Sequence, residues 1–192
     1  PSSQSAVIVN SLEQNFANIT NWLIEEHLDF DYICESRIPK MKDGLKIGQM
    51  EYDAIVVPAC LTLRKSTIDF LSELVKGGKK VIFMGACPEY VDGVKNSGCQ
   101  QLYNSCTTVN FDKASVSEAL EDMREISLSG NDGAEADSLL YNYRKDNDCN
   151  WLFIAHSKRA SQLAAKYGQS QNDVMRPINS VIKIKGEFIP VE

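Results

Sequence analysis

The chain has 192 residues, 43% hydrophobic and 24% charged, with a formal net charge of -6. This is a globular composition for one domain, or one domain and part of another. The acidic balance argues against a nucleic-acid surface, and no apolar run reaches the ~20 residues of a membrane-spanning helix.

Taken in chain order, Ala6–Asn10 reads as a short buried strand. Leu12, Phe16, Ile19, Leu23 and Ile24 then recur at helical spacing, with Ser11 as a cap. Phe30–Cys34 alternates as a second strand, and Lys42-Asp43-Gly44 marks a turn within a loop. Ala54–Val57 is a continuous apolar run, the pattern of a strand buried on both faces. Ser66 to Lys76 is an amphipathic helix closed by Gly77-Gly78, and Val81–Met84 is the next strand. A helix is predicted over Ala114–Met123, capped by Asp112 or Ser115, then a strand over Glu125–Leu128.

After Gly130 the pattern becomes antiparallel. Ser138–Arg144 and Trp151–His156 form a hairpin around a polar turn. Arg159–Arg176 is polar, with a helical stretch over Ala160–Tyr167. Ser180–Val191 alternates as a terminal strand with a bulge at Gly186. The expected fold is therefore α/β, a three-layer parallel sheet over 1–128, with an appended antiparallel β element over 129–192. Pro1 and the unclosed terminal strand suggest a piece excised from a longer polypeptide.

The segments FDYICE, YDAIVVPACLTL, GGKKVIFMGACPEYVDG, LLYNYRKDNDCNWLFIAHSKR and VIKIKGEF resemble a domain of large multidomain glycoside hydrolases. In family 2 and rhamnosidase-type enzymes that domain has a flavodoxin-like, class I glutamine-amidotransferase-like fold, similar to the β-galactosidase trimerisation domain. The resemblance covers about 30 to 192. It implies a non-catalytic role in a bacterial-type enzyme acting on carbohydrate, as scaffold, cleft wall or oligomer contact. The implied partners are neighbouring domains of the parent chain, a carbohydrate, or further copies of the chain.

Cysteine chemistry offers a second reading. Cys87 follows a strand in Gly85-Ala86-Cys87, the first half of the G-x-C-x-G elbow that holds an amidotransferase nucleophile. Pro88 and Glu89 break the second half: proline lacks the N–H that serves an oxyanion hole. His156 follows Cys87 in the order expected of a base, without the acid that should come after it. The bland readings are a small residue in a tight turn and a strand-end histidine.

A third reading is a small-ligand or sugar module in the crevice beyond the strands, with Cys60, Glu89 and Asp92 as contacts. Loop acids more often sit in solvent or cap turns. Tyr141 and Tyr143 share one hairpin face, as do Trp151 and Phe153; such rings bind sugars or simply stabilise a hairpin. The six cysteines contain no C-x-x-C pair and the two histidines no spaced partner, so no metal is expected. No phosphate-binding glycine motif occurs, and no cofactor is expected. Thiols without a disulfide framework suggest a reducing, cytoplasmic location.

Overall fold

The computed structural model describes residues 3–130, 132–134, 136, 139–156 and 180–185. They fall into two compact units, Pro1–Thr20 with Phe30–Met123, and Asn21–Asp29 with Arg124–Glu192.

The first unit is built on the β-α-β element seen in the sequence. Strand β3 (Ala54–Val57) pairs in parallel with β5 (Lys80–Met84), joined by helix α3 (Lys65–Lys76). Val81 and Phe83 pack with Ile68, Phe70, Leu71 and Leu74 of α3 in one core. Ile82 and Met84, equally buried, alternate to the other face of the strand. A strand buried on both faces has layers on both sides, and each such side chain contributes roughly 1.5–3 kcal/mol. The helix stops at Gly77-Gly78 as expected: Gly78 takes φ +79, and Lys79 N–H returns to the Leu74 carbonyl at 2.9 Å.

A third parallel strand, β8 (Thr107–Val109), lies beside β5, so the order is β3-β5-β8. Helix α5 (Lys113–Leu120) follows it. The Asp112 carboxylate accepts from Ser115 N–H at 2.8 Å, which settles the cap on Asp112. Ahead of β3, helix α2 (Ile38–Met41) leads into strands β1 (Lys42–Asp43) and β2 (Lys46–Ile47), turning at Gly44.

Two expected strands are absent. Ala6–Asn10 belongs to helix α1 (Ser3–Glu25). No breaker separates that apolar run from the helical pattern after it, so the helix propagates backwards through Val7, Ile8 and Val9, which stay exposed. Phe30–Cys34 forms no strand either. Its rings pack instead: Tyr32 lies 5.1 Å from Phe16 and 5.4 Å from Phe30, and its hydroxyl meets Thr20 Oγ1 at 2.7 Å.

In the second unit, strand β9 (Ile126–Gly130) pairs antiparallel with β12 (Ser180–Ile184), and β10 (Leu139–Lys145) forms a hairpin with β11 (Asn150–His156). Ile126, Leu128, Ala136 and Leu139 make its core, with Tyr141, Tyr143 and Leu152 against them. The helix expected over 160–167 and the bulge at Gly186 lie outside the described residues. The fold is α/β and flavodoxin-like, a parallel sheet with appended antiparallel elements. No helix among the described residues is long and apolar enough to cross a membrane.

Candidate functional site

In a parallel sheet the loops beyond the strand ends form the natural ligand crevice. Here those loops pair with each other. Beyond β3 comes β4 (Thr62–Leu63); beyond β5 comes β6 (Tyr90–Val91), and the two run parallel. Tyr90 N–H donates to the Leu61 carbonyl at 3.1 Å and Asp92 N–H to that of Leu63 at 3.0 Å. Strand β6 then turns back into β7 (Val94–Lys95) through Asp92-Gly93. Both turn residues have positive φ, +50 and +78, the geometry of a two-residue type I′ hairpin. Cys60 and Cys87 lie in these two linked turns, and Glu89 and Asp92 flank β6.

Cys87 does not occupy a nucleophile elbow. Among the described non-glycine residues only His27 and Asp92 have positive φ, so the strained backbone of an elbow is missing at Cys87. The next α-helix, α4 (Gln100–Ser105), begins only after the β6–β7 hairpin and a 3-10 turn over Ser97–Cys99. The helix that opens directly after the nucleophile in an elbow is therefore not found after Cys87. Burial pushes the thiol above its ordinary value, a rise tempered by a hydrogen bond with Cys99. The Cys87 thiol also contacts the Pro88 carbonyl at 3.6 Å.

Its neighbours are more strongly suppressed. Burial pushes Cys60 up to about 11, with help from the Glu35 charge, and Cys99 up to about 12. Cys99 is part of the core, with Cys60, Cys87 and Cys106 packed against that core. A thiol held protonated is a poor nucleophile. Among the described residues no group of three or more His, Cys, Asp or Glu side chains could hold a metal ion. His156 is the last residue of β11, opposite Leu139 in the hairpin register. It belongs to the second unit and Cys87 to the first.

The acids of the loops have structural partners. Glu89 faces Lys95 at 3.2 Å, both side chains well exposed, so the pair adds little stability. Asp92 accepts from Lys65 N–H, in the first turn of α3, at 3.3 Å. Glu35 accepts from Arg64 N–H at 2.8 Å and from Thr67 Oγ1 at 2.6 Å. Arg64, the N-cap of α3, makes no side-chain cap bond of its own. Two carboxylates from other segments thus fill the helix N-terminus that could receive an anionic ligand.

Sequence reasoning missed two places. A shallow groove of about 540 Å³ runs beside β8, between Gly85, Tyr103, Thr108, Asn110, Ser115 and Glu118. The Tyr103 hydroxyl closes one side by donating to the Gly85 carbonyl at 2.7 Å. Strand β8 has only three residues, too few to show alternation. Glu35 was the other omission, since nothing local marks a residue that caps a distant helix.

No protein-family model matches the chain, and no curated protein matches it. Among solved structures, the chain is similar to the apo form of an exo-carrageenase of glycoside hydrolase family 42 from Bacteroides ovatus. The identity is 12% and the TM-score 0.46, over 74% of this chain and 22% of that enzyme. The chain thus aligns with only about a fifth of that enzyme's length.

Proposed function

We propose that this chain is a non-catalytic accessory domain of a carbohydrate-active hydrolase, serving as scaffold, cleft wall or subunit contact. The carbohydrate context comes from the sequence pattern that resembles glycoside hydrolase domains. The observation that carries the non-catalytic part is the filled crevice. Glu35 and Asp92 occupy the N-terminus of α3, and the loops above β3 and β5 are hydrogen-bonded together. Cys87, the sharpest candidate for a nucleophile, lies in an unstrained turn with a raised thiol pKa. A reactive cysteine needs the opposite environment.

The test compares Cys87→Ser with the wild type in two assays, the hydrolysis of aryl glycosides by the parent polypeptide and of glutamine by the chain itself. The expected result is unchanged glycoside turnover and no glutamine hydrolysis in either protein. Glutamine hydrolysis that vanishes in Cys87→Ser would replace this reading with the amidotransferase one. Absence of glycoside turnover by the parent polypeptide would remove the carbohydrate context.

A further inference from the structure

The outer face of the β10–β11 hairpin does not look like a solvated sheet face. Register places Asn142 opposite Phe153 and Arg144 opposite Trp151. Tyr141, Tyr143 and Leu152 point to the other side, where they pack on Ile126 and Leu128. By alternation six side chains share the outer face: Leu140, Asn142 and Arg144 on one strand, and Trp151, Phe153 and Ala155 on its neighbour. Trp151 is 54% exposed and Phe153 59%. Solvent faces of antiparallel sheets are normally polar, and large exposed aromatic groups mark interaction sites.

The polar half is arranged rather than diffuse. Arg144 Nε donates to Asn142 Oδ1 at 3.3 Å, which fixes the guanidinium beside the indole strand. Among the described residues Arg144 has no carboxylate partner, and neither exposed ring packs on another ring. Lys145 is drawn elsewhere, to Glu125, with its ammonium 5.6 Å from the Tyr143 ring centre. The face forms a groove of about 650 Å³ bordered by Asn142, Arg144, Asp146, Trp151 and Phe153, and Lys145 also lines it.

We propose that this face is a carbohydrate-binding subsite, taking a pyranose ring or two of an oligosaccharide. The ligand class rests on the carbohydrate reading above; the geometry stands apart from it. A pyranose presents an apolar C–H face and a rim of hydroxyls. Two rings spaced about 7 Å along one strand receive the C–H faces. Across from them a fixed guanidinium and a side-chain amide meet hydroxyls, or a carboxylate where the sugar carries one. Tryptophan and arginine also mark protein interfaces, so a second copy of the chain is the competing occupant, which gel filtration reads below.

The experiment is native electrophoresis of the chain through gels containing a neutral β-galactan, a neutral β-glucan or polygalacturonate. Retardation is expected in at least one gel, weakened at least tenfold by Trp151→Ala or Phe153→Ala and retained by Trp151→Tyr, which keeps a stacking ring. If Arg144 reads a carboxylate, Arg144→Ala weakens migration effects in polygalacturonate alone; if it reads hydroxyls, it weakens binding to a neutral polymer. Unchanged melting temperatures identify variants that remain folded, and Trp151→Tyr serves if the alanine variant does not. No retardation in any gel, or retardation that all ring variants leave intact, overturns the proposal. So does a dimer in gel filtration that Trp151→Ala converts to monomer. Failure here leaves glycoside turnover by the parent polypeptide untouched, and loss of that turnover leaves retardation readable.

Discussion

Glu35 caps a helix to which it does not belong: its Oε2 accepts from Thr67 Oγ1 at 2.6 Å, inside the first turn of α3. Thr67 is buried, and the same carboxylate oxygen also takes Arg64 N–H. A helix end leaves its first N–H groups unsatisfied, and a carboxylate there meets the positive end of the helix dipole.

Glu35→Ala should therefore destabilise the first unit by about 1–2 kcal/mol, the usual cost of a lost cap. Urea unfolding followed by circular dichroism measures it. Glu35→Gln should cost less, since the amide oxygen still accepts. It should also lower the Cys60 thiol, because the Glu35 charge is the second cause of its rise after burial. An unchanged unfolding midpoint in Glu35→Ala would mean that α3 is held by its core contacts alone.

The six thiols should label in a definite order. Cys34 is exposed, and a hydrogen bond with Ser36 favours its thiolate and lowers its pKa. Cys99, fully buried and pushed up to about 12, should react last. Limiting iodoacetamide at about pH 8, read by peptide mass mapping, should find Cys34 first and Cys87 well behind it. Cys87 ahead of Cys34 would contradict the environment described for its turn.

The α5 cap carries a pH dependence of known sign. Hydrogen bonds from Ser115, backbone first, hold the Asp112 carboxyl below its ordinary value. A depressed folded pKa adds stability that is present above the unfolded value of about 3.9 and lost as pH falls through the folded one. Asp112→Asn keeps a capping side chain and removes the titration. The stability gap between wild type and variant should be open at about pH 6 and close below about pH 4. A gap constant across that range would exclude Asp112 as its source.

Arg124 and Glu26 form an ion pair inside the second unit at 3.1 Å, with side chains only 8% and 12% exposed. Arg124 also donates to the Glu26 backbone carbonyl. Removing one member of a buried pair strands the other charge, so Arg124→Ala should cost about 3–5 kcal/mol. Near-ultraviolet circular dichroism and urea unfolding would show the loss. A cost below about 1 kcal/mol would place the pair with surface bridges instead.

What the sequence disclosed was whatever repeats over enough residues. Strands β3 and β5 are continuous apolar runs around a helix with period 3.6 and a Gly-Gly stop, and all three were legible. The hairpin β10–β11 was legible for the same reason. At Ala6–Asn10 four apolar residues fit strand and helix equally well, and the lack of a breaker before Leu12 decided the matter. The β6–β7 hairpin carries a strong local signal, Asp92-Gly93 between valines. Its strands have two residues each, so nothing alternates around the turn. The role of Asp92 depends on Lys65, a contact across 27 positions that no local pattern records. The same applies to the suppressed thiols, whose environment comes from packing.

The pairing of β4 with β6 makes one mechanical part out of two loops. Tyr90 and Asp92 amides are tied to Leu61 and Leu63 carbonyls, and the same Asp92 is latched to α3. Neither loop can swing aside alone: opening one breaks the ladder and unfastens the helix end together. Amide deuterium uptake at Tyr90 and Asp92 should follow a single slow rate shared with the first turn of α3. A fold whose loops usually gape around a guest would here behave as a clasp.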